Sequence, residues 1–349
     1  MRAFACGHCG QLVFFDNTAC LRCGTGLGFV PDRGRLVMVG ADDGLRRCAN
    51  AAVVGCNWMI PDDDPSELCA SCRLTGTRPN DREPVAQPAW EKAESAKRQL
   101  VFQLLELHLP TPGREEDPEG GLAFDLLSSG RGPVTTGHED GVITVDLAES
   151  DDAHRERTRT RLGEAYRTML GHFRHEIGHF YWPRLVEADG GDLDRARALF
   201  GDERADYGEA MQHHYDEGAP ATWEESFVSA YATMHPWEDW AESFAHYLHI
   251  RDTLQTAASF GMLVTGPVTD PPAQPDVFLV AAPSADLDDE SFELIIGEWL
   301  PLTYALNAVN RSMGKDDLYP FVLPAPVIEK LAFVHERIRS VGSSPLRSR

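Results

Sequence analysis

Residues 172–181 read His172-Phe-Arg-His-Glu-Ile-Gly-His-Phe-Tyr181, and within them His175-Glu176-Ile177-Gly178-His179 is an H-E-x-x-H run. On a helix, residues four apart lie one above the other, so His175 and His179 share a face and their imidazoles can share one metal ion. Glu176 falls next to that face, where its carboxylate can reach a water. Gly178 leaves room for another backbone to come close. Around the motif, Leu162, Tyr166, Met169, Leu170, Phe173, Ile177 and Phe180 follow the helical period and form an apolar stripe directed away from the histidines. One long helix from Asp152 to about Trp182 is expected. A solvated histidine pair also fits the motif, so a third ligand has to be sought.

A zinc site that does chemistry holds its ion with three protein ligands and leaves one position open. The best source of a third ligand is residues 234–250, "MHPWEDWAESFAHYLHI". Pro236 suits the first turn of a helix. Trp237, Ala241, Phe244 and Leu248 then form an apolar face, while Glu238, Glu242 and His249 fall together on another. Spacing alone leaves Glu238 and Glu242 as equal candidates. With the ligand set filled this way, His172, His213, His214, His235, His246 and His249 are read as surface or supporting histidines.

Upstream of the motif the pattern is mixed. "WEKAESAKRQLVFQLLELHL" from Trp90 reads as a helix, and "TPGREEDPEGG" as a loop. "LAFDLL" and "VITVDLA" read as strands, because Ile143, Val145 and Leu147 alternate with Thr144 and Asp146. Asp140-Gly141 marks a turn between them. The strand at Val142–Leu147 is a candidate to bind an extended peptide by strand addition.

All eight cysteines lie before position 73. Cys6, Cys9, Cys20 and Cys23 form two C-x-x-C turns, each putting two thiolates on one side of the backbone, and together they complete the tetrahedron that zinc favours. Gly7, Gly10 and Gly24 suit these turns, with amides expected to point at sulfur. Cys48, Cys56, Cys69 and Cys72 are more loosely spaced, yet no cysteine is left over, and a second closed site is expected. Neither set has an open position, so both ions are structural. A segment this short cannot bury much core, and metal binding supplies its folding free energy.

These features organise the chain of 349 residues as a cysteine module over 1–80, a Pro-rich linker over 81–89, a mainly helical domain over 90–340 and a flexible tail over 341–349. The fold class is α+β. Formal net charge is −23, and all of it lies after residue 80, because the first 80 residues hold eight arginines against eight acidic residues. A nucleic-acid binder needs a basic face, so nucleic acid is not an expected partner. No apolar run is long enough to span a membrane, and the N-terminus begins a cysteine motif rather than an apolar leader; the expectation is a cytoplasmic protein.

In combination, the ribbon cysteines, "HFRHEIGHFYW" and "HPWEDWAESFAHYL" resemble a bacterial family of zinc-binding metallopeptidases with an N-terminal zinc ribbon, over nearly the whole chain. The resemblance implies a zincin-like hydrolase with one catalytic and two structural zinc ions, acting on a peptide or protein. The second motif is also similar to the third-ligand helix of other H-E-x-x-H enzymes that use a glutamate ligand. There the pattern is E-x-x-A-E-x-F with a tyrosine seven residues earlier, and here it is Glu238-Asp-Trp-Ala-Glu242-Ser-Phe with Tyr231 in that place. The likeness therefore implies Glu238 as third ligand, Glu242 as its support and Tyr231 as a transition-state donor, with Glu176 as general base. A second reading is a non-catalytic scaffold whose ribbon binds a protein partner while the H-E-x-x-H metal only stabilises the fold. An intact Glu176 and Tyr231 favour the enzyme, since a scaffold needs neither. A third reading, a protease associated with nucleic acid, is opposed by the charge.

Overall fold

Short hairpins carry the cysteines. In the computed structural model, which describes residues 2–41, 44–80, 83, 86–162, 167–188, 190–268, 279–284 and 291–342, β1 (Ala3–Ala5) pairs with β2 (Leu12–Phe14) around the Cys6–Cys9 turn. Strand β3 (Leu27–Val30) pairs with β4 (Arg35–Met38), and β5 (Leu45–Arg47) with β6 (Met59–Pro61). Two single-turn helices carry the second cysteine group: α1 (Ala51–Val54) lies between Cys48 and Cys56, and α2 (Ala70–Arg73) is capped by Cys69 and contains Cys72. The fold is α+β: small sheets and a majority of helix.

The chain divides into two compact units, Arg2–Tyr181 and the residues from Trp182 onward. This division falls elsewhere than the expected boundary at residue 80. The reason lies in the aromatic residues of the cysteine segment. Phe15, Phe29 and Trp58 are fully buried, and they share their core with Phe102 of α3 (Gln87–Glu106), whose ring stacks on Phe15 at 4.7 Å between centroids. A segment of this size has too little apolar material to cover those rings alone. Of the expected linker, residues 81, 82, 84 and 85 lie outside the described residues, as does most of the tail; its last three residues are helical instead, because α3 starts three residues earlier than its apolar pattern, with Pro88 in the first turn.

Residues 75–77 pair into the first unit's sheet. Strand β7 (Thr75–Thr77) is parallel to β8 (Ala123–Leu127), which is parallel to β10 (Val142–Asp146); β9 (Gly137–Glu139) closes the order β7-β8-β10-β9. Asp140 and Gly141 join β9 to β10 with φ of 47° and 83°, the left-handed pair that a tight hairpin needs. Phe124, Leu126, Ile143 and Val145 are buried on one face, and Phe124 packs edge-on against Phe173 of the motif helix at 5.5 Å. Strand β9 covers Val142, Ile143 and Thr144 on one side of β10 and β8 covers the other, so over those three residues β10 is interior to the sheet, and there the expectation of strand addition is corrected.

The expected helix from 152 to 182 is two helices, α4 (Asp152–Leu162) and α5 (Met169–Trp182). Thr168 starts the second: its hydroxyl accepts from Gly171 N at 2.9 Å and its carbonyl from His172 N at 2.9 Å, which is the work of an N-cap. Met169, Phe173, Ile177 and Phe180 of the stripe are buried, and Leu170 is half-buried. Tyr166 and the side chain of Leu162 lie outside the described residues.

The second unit contains α6 (Gly190–Phe200), α7 (Tyr207–Glu217), α8 (Pro236–Ser259), a hairpin of β11 (Val264–Gly266) and β12 (Leu279–Ala281), α9 (Phe292–Ser312) and α10 (Ala325–Gly342). Its core stacks Trp182, Phe200 and Phe333 around Trp240, with centroids 5.5, 5.8 and 6.1 Å away. Ala241, Phe244 and Leu248 of α8 are buried as expected, but Trp237 is 36% exposed. It sits in the first turn, beyond the end of this core, and packs on His235 instead at 5.1 Å. Among the described residues no helix is long and apolar enough to cross a membrane.

Candidate metal centres

Tetrahedral zinc with Zn–S bonds of about 2.3 Å sets its sulfurs about 3.8 Å apart, whereas a disulfide needs about 2.05 Å. Cys6 and Cys23 place their Sγ atoms 3.7 Å apart, Cys9 and Cys20 3.6 Å, and Cys56 and Cys69 3.7 Å. All eight cysteines are free thiols in two groups of four able to hold a metal ion. The donors and spacings fit zinc in both groups. In the second, the Cys69 amide donates to Cys48 Sγ at 3.3 Å and the Cys72 amide to Cys69 Sγ at 3.5 Å, as thiolates require. In the first, Gly10 and Gly24 take φ of +71° and +74°, a region that favours glycine. Their own amides donate to the carbonyls of Cys6 and Cys20, while the backbone of Gln11 and of Thr25, just past the two turns, bonds the sulfurs of Cys9 and Cys23, and Gly7 is an ordinary turn residue.

Helix α5 brings His175, Glu176 and His179 together in the first unit. The Nε2 atoms of His175 and His179 lie 3.3 Å apart. With Zn–N bonds of about 2.0–2.1 Å, two ligands of a tetrahedral zinc sit about 3.3–3.4 Å apart, so the pair is spaced as a bound ion would space it. His138 of β9 stacks on His179 with centroids 6.2 Å apart and planes 15° from parallel. His138 Nε2 accepts from the Gly141 amide at 3.2 Å, which leaves its ring proton on Nδ1. Glu176 is 5% exposed and lies 3.2 Å from His172 Nε2. Burial raises its pKa, but the hydrogen bond from His172 and the nearby imidazoles outweigh burial and hold it below the usual carboxylate range. Glu176 is therefore an ionised carboxylate beside the histidine pair.

In the second unit, His235 caps α8. Its Nδ1 accepts from Trp237 N at 3.2 Å and its Nε2 donates to the Ala205 carbonyl at 3.1 Å, so both ring nitrogens are spent. Glu238 follows in the first turn, 2% exposed, and accepts a hydrogen bond from the Tyr207 hydroxyl at 2.8 Å. Glu242, one turn on and half-buried, accepts from Ser229 Oγ at 2.6 Å. The two carboxylates that spacing could not separate thus differ in burial and in partner. Tyr231 opens a short 3-10 turn before α8, edge-on to His214 at 6.0 Å. Of the other histidines, His213 is exposed beside Glu217, and His246 is buried with Nδ1 2.6 Å from the Tyr319 hydroxyl. Sequence reasoning missed Tyr207, Ser229 and His138. Tyr207 and His138 come from segments remote in the chain, Ser229 from the turn just before α8, and no spacing rule connects them to their partners.

The family described as "Putative zinc-binding metallo-peptidase" matches residues 86–337, and a zinc-ribbon domain matches residues 3–83. An uncharacterized protein of Mycobacterium bovis is 51% identical over 342 residues, covering 98% of this chain and 96% of its own length. Uncharacterized proteins of Mycobacterium tuberculosis strains CDC 1551 and H37Rv match to the same extent. No solved structure matches. With a ribbon of cysteine sites at one end and an H-E-x-x-H helix in the segment that the larger match covers, the chain belongs to this family of zinc-binding metallo-peptidases.

Proposed function

We propose that the chain is a zinc-dependent peptidase that hydrolyses peptide bonds, with His175, His179 and Glu238 each offering one ligand atom to the catalytic ion. The observation that carries the reading is the 3.3 Å spacing of the two Nε2 atoms, beside an ionised Glu176 and in a member of a metallo-peptidase family. Zinc, when bound, supplies polarisation of the scissile carbonyl and acidification of a water. Glu176 takes a proton from the attacking water and hands it to the leaving amine. His172 keeps Glu176 ionised and aimed. Tyr231 donates a hydrogen bond to the carbonyl oxygen as charge develops there, a role supported by the resemblance of its spacing. Glu242, held by Ser229, supports the helix that carries Glu238. Residues 1–80 form in this reading a ribbon of two structural zinc ions that engages a protein partner, and residues 90–340 the catalytic part.

The test compares wild type with Glu176→Gln on an unfolded protein and a peptide library. Glutamine cannot accept a proton, so cleavage should fall roughly 100–10,000-fold while zinc content is unchanged. Undiminished cleavage by the variant would remove the enzyme reading of His175–His179.

A further inference from the structure

We infer that Tyr207 is a positioning residue for Glu238: its hydroxyl orients that carboxylate for metal and so sets how tightly the catalytic ion is held. The inference rests on the reading of Glu238 as a zinc ligand. Tyr207 is the first residue of α7, where Asp206 caps the helix by accepting from Glu209 N at 2.9 Å. The start of the helix is thereby fixed, and the phenol reaches Glu238 Oε1 at 2.8 Å. Its ring lies against His235 at 5.2 Å and Trp237 at 6.3 Å. His235 is itself held by Trp237 N and the Ala205 carbonyl. The hydroxyl is therefore aimed from a framework of fixed groups, not from a free side chain.

The consequences follow from the chemistry of a phenol. It has one proton to give. Donating it to Oε1 fixes the plane of the carboxylate. A carboxylate ordered before the ion arrives loses less freedom on binding it. Hydrogen bonds of this kind typically alter metal affinity by about 10–100-fold. No residue of α7 is buried, so the helix contributes little to the core. The hydroxyl's effect is accordingly exerted through Glu238. Because its single proton is committed to Glu238, Tyr207 does not at the same time donate to a substrate oxygen. That separates it from Tyr231, for which the opposite behaviour is expected.

The test uses the full chain and zinc alone, titrated against a chromophoric chelator, with peptide cleavage followed in parallel. Tyr207→Phe keeps the ring and its packing and removes only the hydroxyl. The weakest-held zinc should be released at about 10–100-fold higher free zinc than in wild type. Cleavage should fall at limiting zinc and recover at saturating zinc, a rescue that a merely structural role of α7 would not give. Tyr231→Phe should bind zinc as wild type does and stay slow at saturating zinc. Wild-type zinc affinity in Tyr207→Phe, or a cleavage defect that zinc does not rescue, overturns the positioning role. His175→Ala separates the two levels: if it too retains that ion, the ligand set is wrong and both readings fall. If it loses the ion while Tyr207→Phe binds normally, only the role of Tyr207 falls.

Discussion

Glu238 and Glu242 lie one helical turn apart, and the sequence offers both to the same ion. Their surroundings separate them. Glu238 is almost wholly buried and tied to a phenol, while Glu242 is half-buried and tied to Ser229 in the turn before the helix. A buried carboxylate is costly unless donors or a cation meet its charge, and in the ligand set proposed above the ion would meet the charge of the deeper one. Glu238→Ala should empty the catalytic site, since it removes a bond to the ion. Glu242→Ala should weaken binding by about 10–100-fold without emptying it. Zinc stoichiometry after dialysis checks this, and an empty site in Glu242→Ala alone would reverse the two assignments. The choice was not legible in spacing, because residues at i and i+4 look alike until the neighbours are known. Those neighbours, Tyr207 and Ser229, are 31 and 13 positions away in the chain.

At the scale of elements, the strongly periodic segments were legible and the junctions were not. Alternation at 142–146 and the Asp140-Gly141 turn marked β10 and its hairpin correctly, because a half-buried strand must alternate. The same pattern could not reveal that β10 is interior to its sheet, since pairing partners leave no mark on a strand's own sequence. The break between α4 and α5 was hidden in the same way: Thr168 reads as an ordinary helix-surface residue until its capping bonds are seen. That junction also holds an ion pair. Arg167 meets Glu149, in the turn after β10, through two bonds of 3.1 and 2.6 Å. Burial raises the pKa of Glu149, but Arg167 outweighs it, and the net shift is below the ordinary 4.5. A lowered carboxylate pKa stabilises the fold above the unfolded value and loses that contribution as pH falls through the folded one. Arg167→Ala should therefore cost on the order of 2 kcal/mol at neutral pH, as expected for a charged hydrogen-bonded group. Thermal melts should find the gap between wild type and variant widest above about pH 4.5 and narrowing below it. A gap independent of pH would mean the pair acts through packing alone.

For the whole molecule, the cysteine segment and the first helical segment share one compact unit, although their compositions read as separate modules. Composition changes sharply at residue 80 because thiolates and glycines give way to helix formers, but the packing continues across that point. Phe15 and Phe29 close on Phe102, and β7 pairs with β8. Thr75, just after Cys72, donates to Glu94 Oε1 at 2.7 Å. Glu94 in turn meets Lys97 at 2.9 Å, with both side chains fully buried on α3. A buried pair of this kind is stable only while its polar neighbours stay in place. Stripping zinc from the cysteine sites removes the metal contribution to folding, withdraws Thr75 from the buried pair, and opens the edge of β8. Calorimetry of the full chain should accordingly show the residues from Arg2 to Tyr181 melting in one transition. Chelation strong enough to empty the cysteine sites should lower that whole transition. Deleting residues 1–80 should not leave a well-behaved remainder, because it takes β7 away and uncovers Phe102; soluble yield should drop and apolar-dye binding should rise. The alternative outcome is a separate ribbon melt that disappears on chelation while the rest unfolds unchanged, and it would mean that the shared aromatic core contributes contact without cooperativity.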